Sequence, residues 1–182
     1  MVSKFARTND ANRSSIDTTT VWNEGSFKLV YTGTYINGRR EGEPCVCKMM
    51  KGGDPYLETA FDLELSIIAK AQEIINQFNE GGFIDKDIYL NDAEVWSFVP
   101  DSSPKFANKK NMVEPMIANF EKFNSNTGWV SSGDATWCAV MQALSHFSYL
   151  ATGGYFVLCD LQGAVYDRCA LSQWLPHRSY CD

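Results

Sequence analysis

Between Asp54-Pro55 and Gly81-Gly82 the apolar residues Leu57, Phe61, Leu65, Ile68, Ala71, Ile75 and Phe78 recur at steps of three or four. That spacing lines them up on one side of a helix. The flanking Pro and Gly pairs set its ends, so residues 56–80 are predicted to form one long amphipathic helix. Such a helix has to bury its stripe against other elements. The chain has material for this, since 45% of its 182 residues are hydrophobic, enough for the core of one globular domain.

The other segments read as follows. Residues 1–20 are polar, end in Thr18-Thr19-Thr20 and show no apolar period, so a loose tail is expected. FKLVYTGTY (27–35), the Asn37-Gly38 turn and Pro44-Cys45-Val46-Cys47-Lys48-Met49 predict a β-hairpin. Short strands are expected near 95–99 and 112–117. A second helix is expected over 134–151, capped by Asp134, with Trp137, Met141, Leu144, Phe147 and Leu150 as its stripe and Gly153-Gly154 as its stop. Tyr155 to Leu161 then reads as a buried strand. Strands, helix, strands, helix and strand give an α+β fold with two lobes.

Membrane insertion and export are not expected, because no apolar run approaches the roughly 18 residues of a membrane span. The start, MVSKFARTND, also lacks an apolar signal core. A net charge of −6 argues against nucleic-acid and anionic-membrane partners, which need clustered Lys and Arg, and leaves nucleotides and proteins. The six cysteines, Cys45, Cys47, Cys138, Cys159, Cys169 and Cys181, form no C-x-x-C pair. Several lie in apolar runs such as Phe156-Val157-Leu158-Cys159, as expected of reduced thiols in a cytoplasmic protein.

Three places carry candidate chemistry. Asp160 closes the predicted last strand and Gln162 follows two residues on. The pair offers the oxygen ligands magnesium favours, although a turn-capping Asp and a backbone-satisfying Gln fit the same spacing. Lys48 is placed to reach a phosphate as a point charge, or to be a solvated strand residue. In Glu114-Pro115 the proline cannot donate to a ladder and marks an edge or a departure where backbone meets ligand. His146, beside Phe147 on the second helix, reads as a core histidine with one hydrogen bond. A cysteine nucleophile, Cys138 or Cys159 with His146 as base, fits poorly. Cys138 lies about two helical turns from His146, and the apolar neighbours of Cys159 raise its pKa.

Six segments in order resemble the alpha-kinase family of atypical protein kinases. They are Gly25-Ser26-Phe27-Lys28-Leu29-Val30-Tyr31-Thr32-Gly33, Val46-Cys47-Lys48, Val113-Glu114-Pro115-Met116-Ile117, the stretch FEKFNSNTGWV from Phe120 to Val130, Gln142-Ala143-Leu144-Ser145-His146-Phe147, and Cys159-Asp160-Leu161-Gln162-Gly163. The H-R-D, D-F-G and A-P-E motifs of ordinary protein kinases are absent. The resemblance implies a two-lobed, atypical protein-kinase-like α+β fold that transfers the ATP γ-phosphate to Ser or Thr of a protein substrate in a cleft between lobes. It implies Lys48 on the ATP phosphates, Glu114 and Met116 at the hinge beside adenine, Asp160 as catalytic carboxylate, Gln162 as magnesium ligand and His146 as first ligand of a structural zinc. The glycine-bearing turn from Gly25 to Gly33 would cover the nucleotide. The implied layout is an N-lobe at about 21–110, a hinge at about 112–117 and a partial C-lobe over 118–168, with a divergent tail over 169–182.

Beyond Gly163 the family pattern continues with L-T-D-P, a G-x-N-L-G-x-x-G loop and an H-x-C-x-x-x-C zinc segment, none of which appears. Ala170 to Pro176 stands where L-T-D-P would begin, and Asp167 lies several residues too early. With His146, His177 and Cys181 supply at most three zinc ligands. The expectation is therefore an incomplete C-lobe, ATP and magnesium without zinc, and two readings: a Ser/Thr kinase, or a noncatalytic remnant that binds ATP or a protein partner.

Overall fold

The computed structural model describes residues 9–51, 57–165 and 178–181. In chain order its elements are β1 (Ser14–Ile16), β2 (Asn23–Glu24), β3 (Lys28–Tyr35), β4 (Pro44–Met50), α1 (Leu57–Glu80), β5 (Glu94–Ser97), β6 (Lys110–Pro115), β7 (Glu121–Lys122), α2 (Ala135–Ala151), β8 (Leu161–Ala164) and β9 (Arg178–Cys181). The first six strands form one antiparallel sheet in the order β1-β3-β4-β6-β5, with β2 also on β3. The last three form a second sheet, β7-β8-β9. Asp167, Ala170 to Pro176 and His177 lie outside the described residues.

The expected hairpin is present, β3 pairing β4 from Lys28↔Met50 to Thr34↔Pro44. Alternation along these strands sorts the side chains into two faces. Tyr31, Tyr35, Cys45, Cys47, Met49 and Val113 fall on one face and pack with Phe106 into a buried cluster. Val46, Lys48, Met112 and Glu114 fall on the other. Burial pushes the Cys45 and Cys47 thiols up to about 11 and about 12.

Within residues 9–16, expected in a loose tail, Ser14–Ile16 forms a strand of this sheet. Ser14 to Ile16 pairs Tyr35 to Gly33, and Ala11 is buried. The segment carries no apolar stripe because polar contacts hold it: Asn12 and Arg13 N–H both donate to Asn37 Oδ1 at 3.1 Å, and the Arg39 guanidinium meets Asp10 at 2.9 Å. Two glycines make room for it. A Cβ on Gly33 would come within 2.5 Å of Ser15 O and Ile16 Cδ1, and one on Gly38, which has φ 76°, within 2.8 Å of Ala11 N.

The chain divides into two compact units. One contains the described part of Arg7–Leu65 together with Asp92–Met116; the other contains Ser66–Asn91 and the described residues from Ile117 onward. Residues 66–91, expected within the N-lobe, cluster with the second of these units. The cause lies in α1, whose second half sends Ala71, Ile74, Ile75 and Phe78 into a core with Cys138, Met141 and Leu144 of α2 and with Phe123, Leu158 and Leu161. Each fully buried aliphatic side chain of this kind contributes about 1.5–3 kcal/mol relative to exposure. Leu65 and Leu150, expected on the two stripes, are exposed. The buried line of α2 runs through Cys138, Met141, Leu144 and Ser148, as a period of 3.6 requires.

Asp134 caps α2, accepting from the N–H groups of Thr136 and Trp137. Beyond the helix the structure departs from expectation. Tyr155, Phe156 and Val157 are exposed, and no strand begins before Leu161. The apolar run reads as a strand, but its N–H groups are taken by α2 instead of a neighbouring strand: Phe156 N–H donates to Thr152 Oγ1 and Leu158 N–H to Ser148 Oγ. No described helix is long and apolar enough to cross a membrane.

Candidate active site

In the first unit β4 and β6 pair Val46 with Glu114 and Lys48 with Met112. Lys48 and Glu114 are therefore diagonal neighbours on one face of the sheet. Lys48 Nζ lies 2.7 Å from Glu114 Oε1, with only 13% and 12% of the side chains exposed. An ammonium this shielded needs its carboxylate, because desolvation of either charge alone is costly. The side chain of Glu114, a residue expected at the hinge beside adenine, is held on Lys48. Met116 follows directly, its N–H donating to Pro44 O at 3.0 Å. Pro115 sits opposite Cys45 on β4, while the register with β5 ends at Glu94↔Val113. Among the described strands the proline thus stands where β6 is paired by β4 alone, which suits a residue without an N–H.

In the second unit Asp160 immediately precedes β8 with φ 57°. The left-handed conformation disfavours most residues and is visited most readily, after glycine, by Asn and Asp. Period-two alternation does not pass through a left-handed residue, so the two-residue spacing does not by itself put Asp160 and Gln162 on one strand face. Asp160 Oδ1 accepts from Lys122 Nζ at 2.8 Å and from Asn126 N–H at 3.3 Å. Gln162 lies across from Lys122 in the β7–β8 register.

The next residue, Leu161, is secured at both its amide and its carbonyl. Leu161 N–H donates to Asn124 Oδ1 at 2.8 Å, and Leu161 O accepts from Phe123 N–H at 2.8 Å. Asn124 is buried, and its Nδ2 donates to Gln142 Oε1 at 2.7 Å and Ser145 Oγ at 3.1 Å. Lys122, Asn124 and Asn126 were not singled out from sequence. The signal available was polar residues alternating about a buried Phe123 and ending at Gly128, which has φ 87°.

His146 is exposed, not a core residue, because it lies off the buried line of α2. Among the described residues no group of three or more His, Cys, Asp or Glu could hold a metal ion. Cys138 is buried, and burial and then the Asp160 charge raise the Cys159 thiol against the opposing pull of Lys122. The raised Cys159 thiol is the opposite of what a nucleophile needs. Among the described residues both contacts of Asp160 meet Oδ1, and Asp160 and Gln162 carry oxygen donors of the kind magnesium favours.

A family model described as the alpha-kinase family matches residues 23–173, which takes in Lys48, Glu114, Met116, His146, Asp160 and Gln162. The chain belongs to the alpha-kinase family. Its fold is that of solved alpha-kinase domains. A C-terminally truncated alpha-kinase domain of myosin heavy chain kinase is 19% identical with a TM-score of 0.69, over 84% of this chain and 72% of that one. The alpha-kinase domain of myosin heavy chain kinase A in complex with AMP matches at the same identity, TM-score and coverage. The AMP-PNP complex of that domain gives 19% and 0.68, over 84% and 71%. Comparison with curated proteins gave no match. Residues 9–22, which include β1, lie ahead of the family match.

Proposed function

We propose that this alpha-kinase chain binds ATP and transfers its γ-phosphate to serine or threonine of a protein substrate. The carrying observation is that the family match includes a shielded Lys48, held by Glu114, together with an Asp160 carboxylate fixed in place by Lys122 and the Asn126 amide. Phosphoryl transfer depends mainly on placement and charge neutralisation, and each of these residues is of a type that serves one of them. Lys48 would neutralise phosphate oxygens, while Met116 and the main chain at Glu114 would lie beside adenine. Asp160 would orient the attacking hydroxyl and take its proton as the new O–P bond forms and the bond to ADP breaks. Gln162 would hold magnesium, which when bound neutralises phosphate charge. A cytoplasmic location goes with this reading.

A second reading, nucleotide or partner binding without transfer, is favoured by one contact: Lys122 Nζ already occupies Asp160 Oδ1, where added positive charge would compete. Two measurements separate the readings. Saturating Mg-ATP is expected to raise Tm, with about 2.7 kcal/mol available at a hundred times Kd, and Lys48→Ala to remove the shift. Labelled phosphate is expected on a Ser/Thr protein substrate and not with Asp160→Asn. A shift without transfer selects the binding reading, and no shift in the unmutated protein rejects both forms of nucleotide binding.

A further inference from the structure

The polar contacts around Leu161 tie three sequence segments to one backbone conformation. Leu161 N–H belongs to the peptide joining it to Asp160, so the bond to Asn124 Oδ1 fixes the plane of that peptide and with it ψ of Asp160. Asp160 has φ 57°, a conformation that needs support from its surroundings. Asn126, from the same loop, donates its N–H to the carboxylate itself. One short loop thus sets both the backbone and the side chain of Asp160.

The orientation of Asn124 is imposed from α2. Its Nδ2 faces Gln142 Oε1 and Ser145 Oγ, which leaves Oδ1 to accept from Leu161. Neighbouring positions on the helix act on the approach to the site: Ser148 Oγ receives Leu158 N–H and Thr152 Oγ1 receives Phe156 N–H. The polar positions 142, 145 and 148 of α2, with its C-cap Thr152, therefore form a template along which residues 156–161 are laid down. Asp160 stands between the last two fastened amides, those of Leu158 and Leu161.

We infer that Asn124 is a positioning residue for Asp160, oriented by Gln142 and Ser145, and that α2 sets the geometry of the catalytic carboxylate through it. The kinetic consequence rests on the phosphotransfer reading above; the structural consequence does not. Asn124→Ala removes the acceptor for Leu161 N–H, and the paired substitution Gln142→Ala/Ser145→Ala leaves Asn124 present but unoriented. The second variant touches an exposed and a half-buried side chain, so it tests the same idea if the first fails to fold.

The experiment combines amide hydrogen exchange with steady-state phosphate transfer. Exchange at Leu161 is expected to accelerate in both variants while amides inside α2, such as that of Met141, keep their protection. kcat is expected to fall about 10- to 100-fold in Asn124→Ala, and less in the paired variant, with KM for ATP within about twofold. A purely structural role would lower the folded fraction and leave the kcat of the folded protein unchanged. Unchanged Leu161 exchange, or unchanged kcat in both variants, overturns the inference. Should the unmutated chain transfer no phosphate, the kinase reading falls while Leu161 exchange still decides whether Asn124 holds Asp160: acceleration upholds it and no change overturns it.

Discussion

Removing the cation from the Lys48–Glu114 pair should destabilise the first unit more than removing both charges. At 2.7 Å and an effective dielectric of about 20, the gross attraction is about 6 kcal/mol. Most of it offsets the cost of taking two charges out of water, so the attraction is not a net stability. Lys48→Met takes away the attraction while Glu114 keeps its desolvation cost, with a penalty of about 3 kcal/mol, the low end for a buried pair because both side chains retain some exposure. For a chain of this size that corresponds to a fall in Tm of about 6–12 °C. Lys48→Met/Glu114→Gln removes the stranded charge and is expected to recover at least half of the loss. Thermal unfolding followed by near-UV circular dichroism at pH 7 measures both, and repetition in high salt should leave the difference nearly intact, because a shielded pair is weakly screened. A double variant as unstable as the single one would refute the argument, as would a penalty that disappears with salt.

Two further outcomes follow from the same sheet. Gly38→Ala should cost about 1–2 kcal/mol in urea unfolding, since it combines a positive φ with a Cβ placed 2.8 Å from Ala11 N, whereas Gly42→Ala, with nothing near its Cβ, should show only the conformational part. Cys47 gives a pH dependence: burial, and then the Cys45 charge, push its thiol up from 9.0 to about 12. A raised folded pKa means that the unfolded thiol ionises first, so the contribution is complete below about pH 9 and is lost as pH rises toward 12. The loss is about 1 kcal/mol between pH 9 and 10. Urea midpoints across that interval should fall less steeply in Cys47→Ala; an unchanged slope would show that the thiol does not drive the effect.

The hairpin, both helices and the Asp134 cap were legible in the sequence because each rests on a period or a cap that neighbours in sequence determine. β1 was not, because Ser14 to Ile16 is held by a partner strand and by Asn37, and a short polar segment carries no sign of either. Tyr155 to Leu161 misled for the opposite reason: its apolar run has the composition of a strand, while Ser148 and Thr152 claim its amides. Lys48, Glu114, Asp160 and Gln162 could be named from motif order alone. That Glu114 fixes Lys48, and that Lys122 and Asn124 attend Asp160 and Leu161, depends on pairing register and on contacts across tens of residues, which no local pattern encodes.

The left-handed backbone at Asp160 narrows what can stand at that position by a second criterion besides charge. Glu keeps the carboxylate but not the ease with which Asp enters that conformation; Asn keeps the conformation but not the charge; Ala keeps neither. Asp160→Ala therefore changes two variables at once, and a loss of activity in it cannot be assigned to the missing carboxylate. Asp160→Asn isolates chemistry from conformation, and Asp160→Gly, which lacks the carboxylate but enters the left-handed region freely, reports on the backbone separately.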